Sequence, residues 1–133
     1  MKKLKSILLV DDHEPVNFLH ELLILENDLA ENIKITNTGL EAIQYLSTPK
    51  EGIYPSPDMI LLDINMPVMN GWEFLEEYEK LPIQQKANIV IVMVTTSLNP
   101  DDRKKAENLK DIKAFANKPF TLERFQEIMT QFF

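Results

Sequence analysis

No cysteine occurs anywhere in the 133 residues, and glycine appears only three times. The first absence excludes thiol catalysis, cysteine-ligated zinc and a disulfide framework, so an apolar core must hold the chain together. The length allows this, because a single domain of this size buries roughly 70% of the surface its unfolded chain exposes. Positive charge is also scarce: 14 Lys and Arg face 21 Asp and Glu, for a net charge of −7. Phosphate backbones reward clustered Lys and Arg, so nucleic acid is not an expected partner. Long hydrophobic runs are missing as well, and none approaches the ~18 residues of a membrane span. The basic start followed by Ile7-Leu8-Leu9-Val10 imitates a signal peptide, but four apolar residues fall short of the roughly 7–15 required. Asp11 and Asp12 then end the imitation. A cytoplasmic, membrane-free protein is expected.

What the sequence does contain is a regular alternation. Five short apolar runs stand at Ile7 to Val10, Ile33 to Ile35, Met59 to Leu62, Ile89 to Val94 and, more weakly, Ala114 to Ala116. Helical periodicity fills the intervals. The first helix carries Val16, Leu19, Leu22 and Leu23 on its expected apolar side, the second Leu40, Ile43 and Leu46, and the third, after Gly71, Trp72, Leu75 and Tyr78. The fourth, about Pro100 to Leu109, opens on Asn99-Pro100, a capping residue and a first-turn proline. The last opens at Thr121 and places Leu122, Phe125, Ile128, Met129 and Phe132 at spacings of three and four. This is a β-α unit repeated five times.

Strands that read as continuous apolar runs are buried on both faces, the mark of a parallel sheet covered by helices. The expected fold is therefore α/β and doubly wound, with five parallel strands in the order 2-1-3-4-5 and five helices. Residues 1–133 are expected to form this one domain, with no output domain. In such sheets the ligand crevice lies beyond the carboxyl ends of the strands, where strand order reverses. Asp11 and Asp12 follow the first strand, Asp63 the third, Thr95 and Thr96 the fourth, and Lys118 the fifth.

Three carboxylates meeting at one sheet edge repel one another and call for a cation. Hard oxygen donors, no cysteine and only two histidines select Mg²⁺ or Mn²⁺ over zinc. A divalent ion, a carboxylate nucleophile, a hydroxyl and an ammonium group together suit phosphoryl transfer. Taken singly, each of these residues reads as a helix cap, turn or strand terminus; it is their coincidence at the strand ends that points to chemistry.

The residues resemble the receiver domain of two-component response regulators over essentially the whole chain. The resemblance is carried by Asp11-Asp12 after the first strand, by Asp58-Met59-Ile60-Leu61-Leu62-Asp63-Ile64-Asn65-Met66-Pro67 with Gly71 following, by Val94-Thr95, and by Lys118-Pro119-Phe120. It implies that Asp63 is the phosphoacceptor, loaded from a sensor histidine kinase or a histidine phosphotransfer protein. It implies that Asp12 and Asp63 bind the metal directly, that Asp11 holds a metal-bound water, and that Asn65 contributes its backbone carbonyl. Lys118, after an expected cis Lys118-Pro119 bond, and the Thr95 hydroxyl would meet phosphoryl oxygens. Phe115 matches the family's switch aromatic, and lacking a hydroxyl it is expected to favour an inward position.

Two positions depart from the family's pattern. Thr96 stands where Ala or Gly is common and is expected, with Asn65, to tune rates. The stretch Asp111 to Ala114 lacks a frequent glycine. The fourth helix, fifth strand and fifth helix would form the face toward a downstream protein, the chain acting as a monomer or as a phosphorylation-dependent dimer. The alternative is an aspartate-nucleophile Mg²⁺-dependent phosphatase of the haloacid dehalogenase type, but its second Asp is replaced here by Asn65, which cannot serve as the general acid. A flavin binder needs phosphate-cradling donors in the first loop, where this chain has two carboxylates. His13 and His20, seven apart, could share a helix face, but make no zinc site without further ligands. Phe132 is expected in the core.

Overall fold

A computed structural model of the chain describes residues 3–86, 89–97 and 99–133; Met1 and Lys2 of the basic N-terminal stretch lie outside them. The elements follow in the order β1 (Leu4–Val10), α1 (Glu14–Glu26), β2 (Ala30–Thr36), α2 (Gly39–Ser47), β3 (Met59–Leu62), α3 (Gly71–Glu79), α4 (Ile83–Lys86), β4 (Val90–Thr95), α5 (Pro100–Glu107), β5 (Ile112–Asn117) and α6 (Leu122–Phe132). All strand pairs are parallel and the sheet order is β2-β1-β3-β4-β5, as expected.

Alternate residues of the inner strands feed two cores. Leu4, Ile7, Leu9, Leu61 and Val92 pack with Phe125, Ile128 and Met129 of α6 on one face. Leu8, Val10, Ile60, Leu62 and Met93 pack with Ala42, Leu46, Phe74 and Leu75 of α2 and α3 on the other. This two-sided burial is why β1, β3 and β4 read as unbroken apolar runs. Each large side chain in these layers is worth about 2–5 kcal/mol against truncation to alanine.

The differences from expectation have physical causes. Among the described residues there are six helices, not five, because Ile83–Lys86 forms one extra turn after Pro82. Four residues are too few to show a period. The edge strands β2 and β5 are longer than their apolar centres, Ile33 to Ile35 and Ala114 to Ala116, because one flank faces solvent and admits polar residues. On α1 the buried positions are Asn17, His20 and Ile24, while Leu19 is 50% exposed and Val16, Leu22 and Leu23 are half-buried. His13 is an exposed N-cap and His20 is buried, so the two histidines do not share a face. Phe132 is half-buried against the α6 core, and Phe133 is exposed.

Helix starts are secured locally. Thr38, Asn99 and Thr121 cap α2, α5 and α6 with side-chain oxygens, and Asn70 with Glu73 forms a reciprocal capping box on α3. Gly71, the first residue of α3, lies against the backbone of the β3 exit: an added Cβ would stand 2.4 Å from the Asp63 carbonyl oxygen. Only glycine fits so close an approach. Gly71→Ala is expected to destabilise the chain by about 1–3 kcal/mol, measured by urea unfolding, whereas unchanged stability would show that α3 moves away freely.

Candidate functional site

The register brings the polar strand ends together. Val10 pairs with Leu62 and Leu62 with Met93, so Asp11 and Asp63 leave the sheet side by side; Thr95 pairs with Asn117, immediately before Lys118. Backbone bonds continue past the strands, with Asp63 N–H donating to Val10 O at 2.9 Å and Lys118 N–H to Thr95 O at 3.0 Å. The sheet thus sets the separation of the site residues.

Asp11 and Asp63 are buried, at 4% and 6% exposure, whereas Asp12 is exposed. Carboxylate oxygens of the three lie within 4.8 Å of one another. The Lys118 ammonium sits between the two buried ones, 2.6 Å from Asp11 Oδ2 and 3.0 Å from Asp63 Oδ1. Burial, and then the Asp11 charge, push the Asp63 carboxyl above its ordinary pKa, against the pull of Lys118. For Lys118, burial acts to lower the pKa, but hydrogen bonds to Asp11 and Asp63 outweigh it and the ammonium is held above its ordinary value. Such a cation offsets the repulsion between the two buried carboxylates.

The acidic loop is fixed by more than the ion pair. Asp11 Oδ1 accepts the His13 backbone N–H at 2.9 Å, and the Asp11 carbonyl accepts the side-chain amides of Asn17 at 2.9 Å and Asn37 at 3.1 Å. Between Asp63 and α3, Met69 N–H donates to Pro67 O at 2.7 Å across Val68, whose φ is 67°. This is a γ-turn of the rarer, positive-φ kind, strained for a β-branched residue. The Lys118-Pro119 peptide is cis, as the resemblance implied.

Thr95 is fully buried, and its Oγ1 accepts the Ser97 N–H at 3.0 Å. The Ser97 hydroxyl donates to Asp102 Oδ2 on α5 at 2.6 Å, so the threonine is linked to the first turn of that helix. Asn65 and Thr96 are exposed. Phe115 is half-buried, with the Arg103 guanidinium 5.6 Å from its ring centroid and Arg124 Nη2 donating to its carbonyl at 3.1 Å. Asp11, Asp12, Asp63 and Lys118 therefore form one cluster. Thr95 stands at the same sheet edge and Phe115 lies on the flank toward α5.

His20 had no role in the sequence reading beyond a doubtful metal ligand. It is 3% exposed, and its Nε2 accepts the Phe120 backbone N–H at 3.0 Å. Burial, opposed by Asp11 and aided by Lys118, lowers its pKa from 6.5 to about 4. Asn17 and Asn37 were missed too: Asn17 is a polar residue at an inward position of α1, which shows only once the helix is oriented, and Asn37 lies in the exposed turn before α2, where asparagine is ordinary.

The family model described as the response regulator receiver domain matches residues 7–130. The response regulator Rcp1 of Synechocystis sp. is 32% identical over 123 residues, covering 81% of this chain and 81% of that protein. Among solved structures, a two-component response regulator from Cytophaga hutchinsonii matches with a TM-score of 0.87 at 30% identity, covering 98% of this chain and 97% of that one. The Mn²⁺-bound form of response regulator Rcp1 matches with a TM-score of 0.71 at 30% identity, covering 95% and 90%. Among the described residues, no helix is long and apolar enough to cross a membrane.

The buried imidazole carries a pH dependence. His20 is neutral when folded down to about pH 4 but protonates near 6.5 when unfolded. Its full contribution is present above the unfolded value and is lost as pH falls from 6.5 toward 4. Relative to His20→Gln, the natural chain is expected to lose about 3 kcal/mol across that window, measured by urea unfolding at each pH. Parallel pH profiles would refute the assignment.

Proposed function

The chain belongs to the response regulator receiver domain family, and on that premise we propose that it accepts a phosphoryl group on Asp63 and signals by contact with another protein. The observation that carries this reading is the Lys118 ammonium bridging Asp11 and Asp63 inside a cluster of three carboxylates. The donor would be a phosphohistidine on a sensor kinase or phosphotransfer protein. An Asp63 oxygen attacks phosphorus and the phosphorus–nitrogen bond breaks with its electron pair going to the donor ring, which leaves as neutral imidazole because its other nitrogen carries a proton; an acyl phosphate results on Asp63. Lys118 would follow the charge onto a phosphoryl oxygen, and the Thr95 hydroxyl, whose oxygen accepts the Ser97 N–H, would donate its own proton to another.

The donor set fits a divalent cation: three carboxylates with oxygens within 4.8 Å, two of them buried, and no soft ligand. Asp12 and Asp63, with the Asn65 backbone carbonyl and with Asp11 acting through water, would hold Mg²⁺ or Mn²⁺. When bound, the ion supplies charge neutralisation between the phosphoryl group and the carboxylates. Asn65, two residues beyond Asp63, offers no general acid, which favours a single phosphorylation over turnover of phosphate esters. Exposed Thr96 is the residue we assign to restricting small donors and attacking water. The output surface would be α5, β5 and α6, with Phe115 and the Thr95-Ser97-Asp102 connection changing as the hydroxyl is recruited.

Incubation with acetyl phosphate or phosphoramidate and Mg²⁺ is expected to add one acid-stable, base-labile phosphoryl group to the wild-type protein and none to Asp63→Asn, read by intact-mass spectrometry. An adduct of equal yield on Asp63→Asn would overturn the assignment. Sustained multiple turnover of a phosphate ester would favour a phosphatase instead.

A further inference from the structure

We propose that His20 is a positioning residue for the chemistry at Asp63, acting through the turn that carries Lys118; the proposal rests on the reading of Asp63 as phosphoacceptor. The connection spans 100 residues of sequence: His20 Nε2, from the inner face of α1, accepts the N–H of Phe120, two residues after Lys118. At the other end of the same turn, Lys118 N–H donates to Thr95 O. The turn is therefore pinned at one end by β4 and at the other by α1.

Lys118 needs that support. Its side chain has four rotatable bonds and no geometry of its own, yet its ammonium meets Asp11 at 2.6 Å and Asp63 at 3.0 Å. Where the backbone of the turn stands decides whether both distances can be met together. One turn earlier on α1, Asn17 Nδ2 donates to the Asp11 carbonyl at 2.9 Å. The same helix face thus grips the acidic loop with Asn17 and the lysine turn with His20.

An apolar side chain could fill this position, but it could not hold the turn. His20 is 3% exposed and stands edge-on to the Phe120 ring, with centroids 6.3 Å apart and planes at 84°. An aliphatic residue would fill this space without the cost of burying an imidazole. What an aliphatic residue cannot do is accept the buried Phe120 N–H, and losing that acceptor leaves a donor the fold must satisfy by moving the turn.

The test compares wild type, His20→Leu and His20→Gln, whose Oε1 restores an acceptor. Phosphorylation by phosphoramidate in Mg²⁺ is expected to slow at least about five-fold in His20→Leu and to stay within about two-fold of wild type in His20→Gln. Mg²⁺ affinity, measured by calorimetry, is expected to be unchanged in His20→Gln and no weaker in His20→Leu, because neither variant alters a carboxylate and a displaced ammonium competes less for them. Equal rates in wild type and His20→Leu would overturn the proposal, as would equal losses in both variants, the pattern of a packing effect. A second readout is independent of phosphorylation: the Lys118 ¹⁵Nζ ammonium resonance is expected to be protected from exchange in wild type and His20→Gln and lost in His20→Leu. Its persistence in His20→Leu also overturns the proposal. A wild-type protein that takes no phosphoryl group yet shows this resonance pattern would sink the Asp63 reading and leave the positioning role standing. Should His20→Leu fail to fold, His20→Met carries the same comparison.

Discussion

Two buried carboxylates share one ammonium, and the carboxyl edge of the sheet is organised around that fact. Asp11 and Asp63 emerge from adjacent strands at the same level because Val10 and Leu62 pair, so their closeness is fixed by the β1–β3 register. Like charges so placed and so buried are costly, and removing the Lys118 ammonium would leave both uncompensated. The third acid, Asp12, is exposed and is within reach of neither burial nor the ammonium's full compensation. The cluster as a whole therefore keeps an excess of negative charge. That excess is a direct physical reason why the cluster could hold a metal ion.

The surrounding contacts read as means of holding that arrangement still. Asn17 and Asn37 converge on the Asp11 carbonyl, His20 holds the Phe120 amide, and Gly71 allows α3 to start against the Asp63 backbone. The strained Val68 turn spans the loop between them. Toward the other flank the contacts form a chain, from Thr95 through the Ser97 amide and hydroxyl to Asp102 on α5. A hydroxyl that accepts from Ser97 keeps its own proton to donate, so drawing that O–H toward a new acceptor acts on the Ser97 bond it already holds. Any such change reaches the first turn of α5 directly, and Arg103, on the next residue, faces the Phe115 ring.

How much of this was legible in the sequence depended on the range of each interaction. Strand ends carrying Asp11, Asp12, Asp63, Thr95 and Lys118 were legible because unbroken apolar runs end there, and because parallel topology gathers those ends along one edge. Capping at Asn99 and Thr121 was legible because its pattern is local. The inner face of α1 was not. Periodicity counts apolar residues, and here the inward positions include Asn17 and His20, whose partners are polar, while Phe18, Leu19 and Leu25 face solvent. The partner of His20 lies a hundred residues away, beyond any local pattern. The single-turn helix Ile83–Lys86 was too short to show one.

The charge balance at Asp11, Asp63 and Lys118 is tested most directly by thermal unfolding of wild type and Lys118→Met with and without Mg²⁺. Without the ion, Lys118→Met should lose about 3–5 kcal/mol, the cost of stranding buried charge. Added Mg²⁺ should then raise its Tm by more than it raises that of wild type, because the ion no longer competes with an ammonium for the same carboxylates. An equal or smaller Mg²⁺ shift in Lys118→Met would contradict the claim that these carboxylates are held in place by a cation.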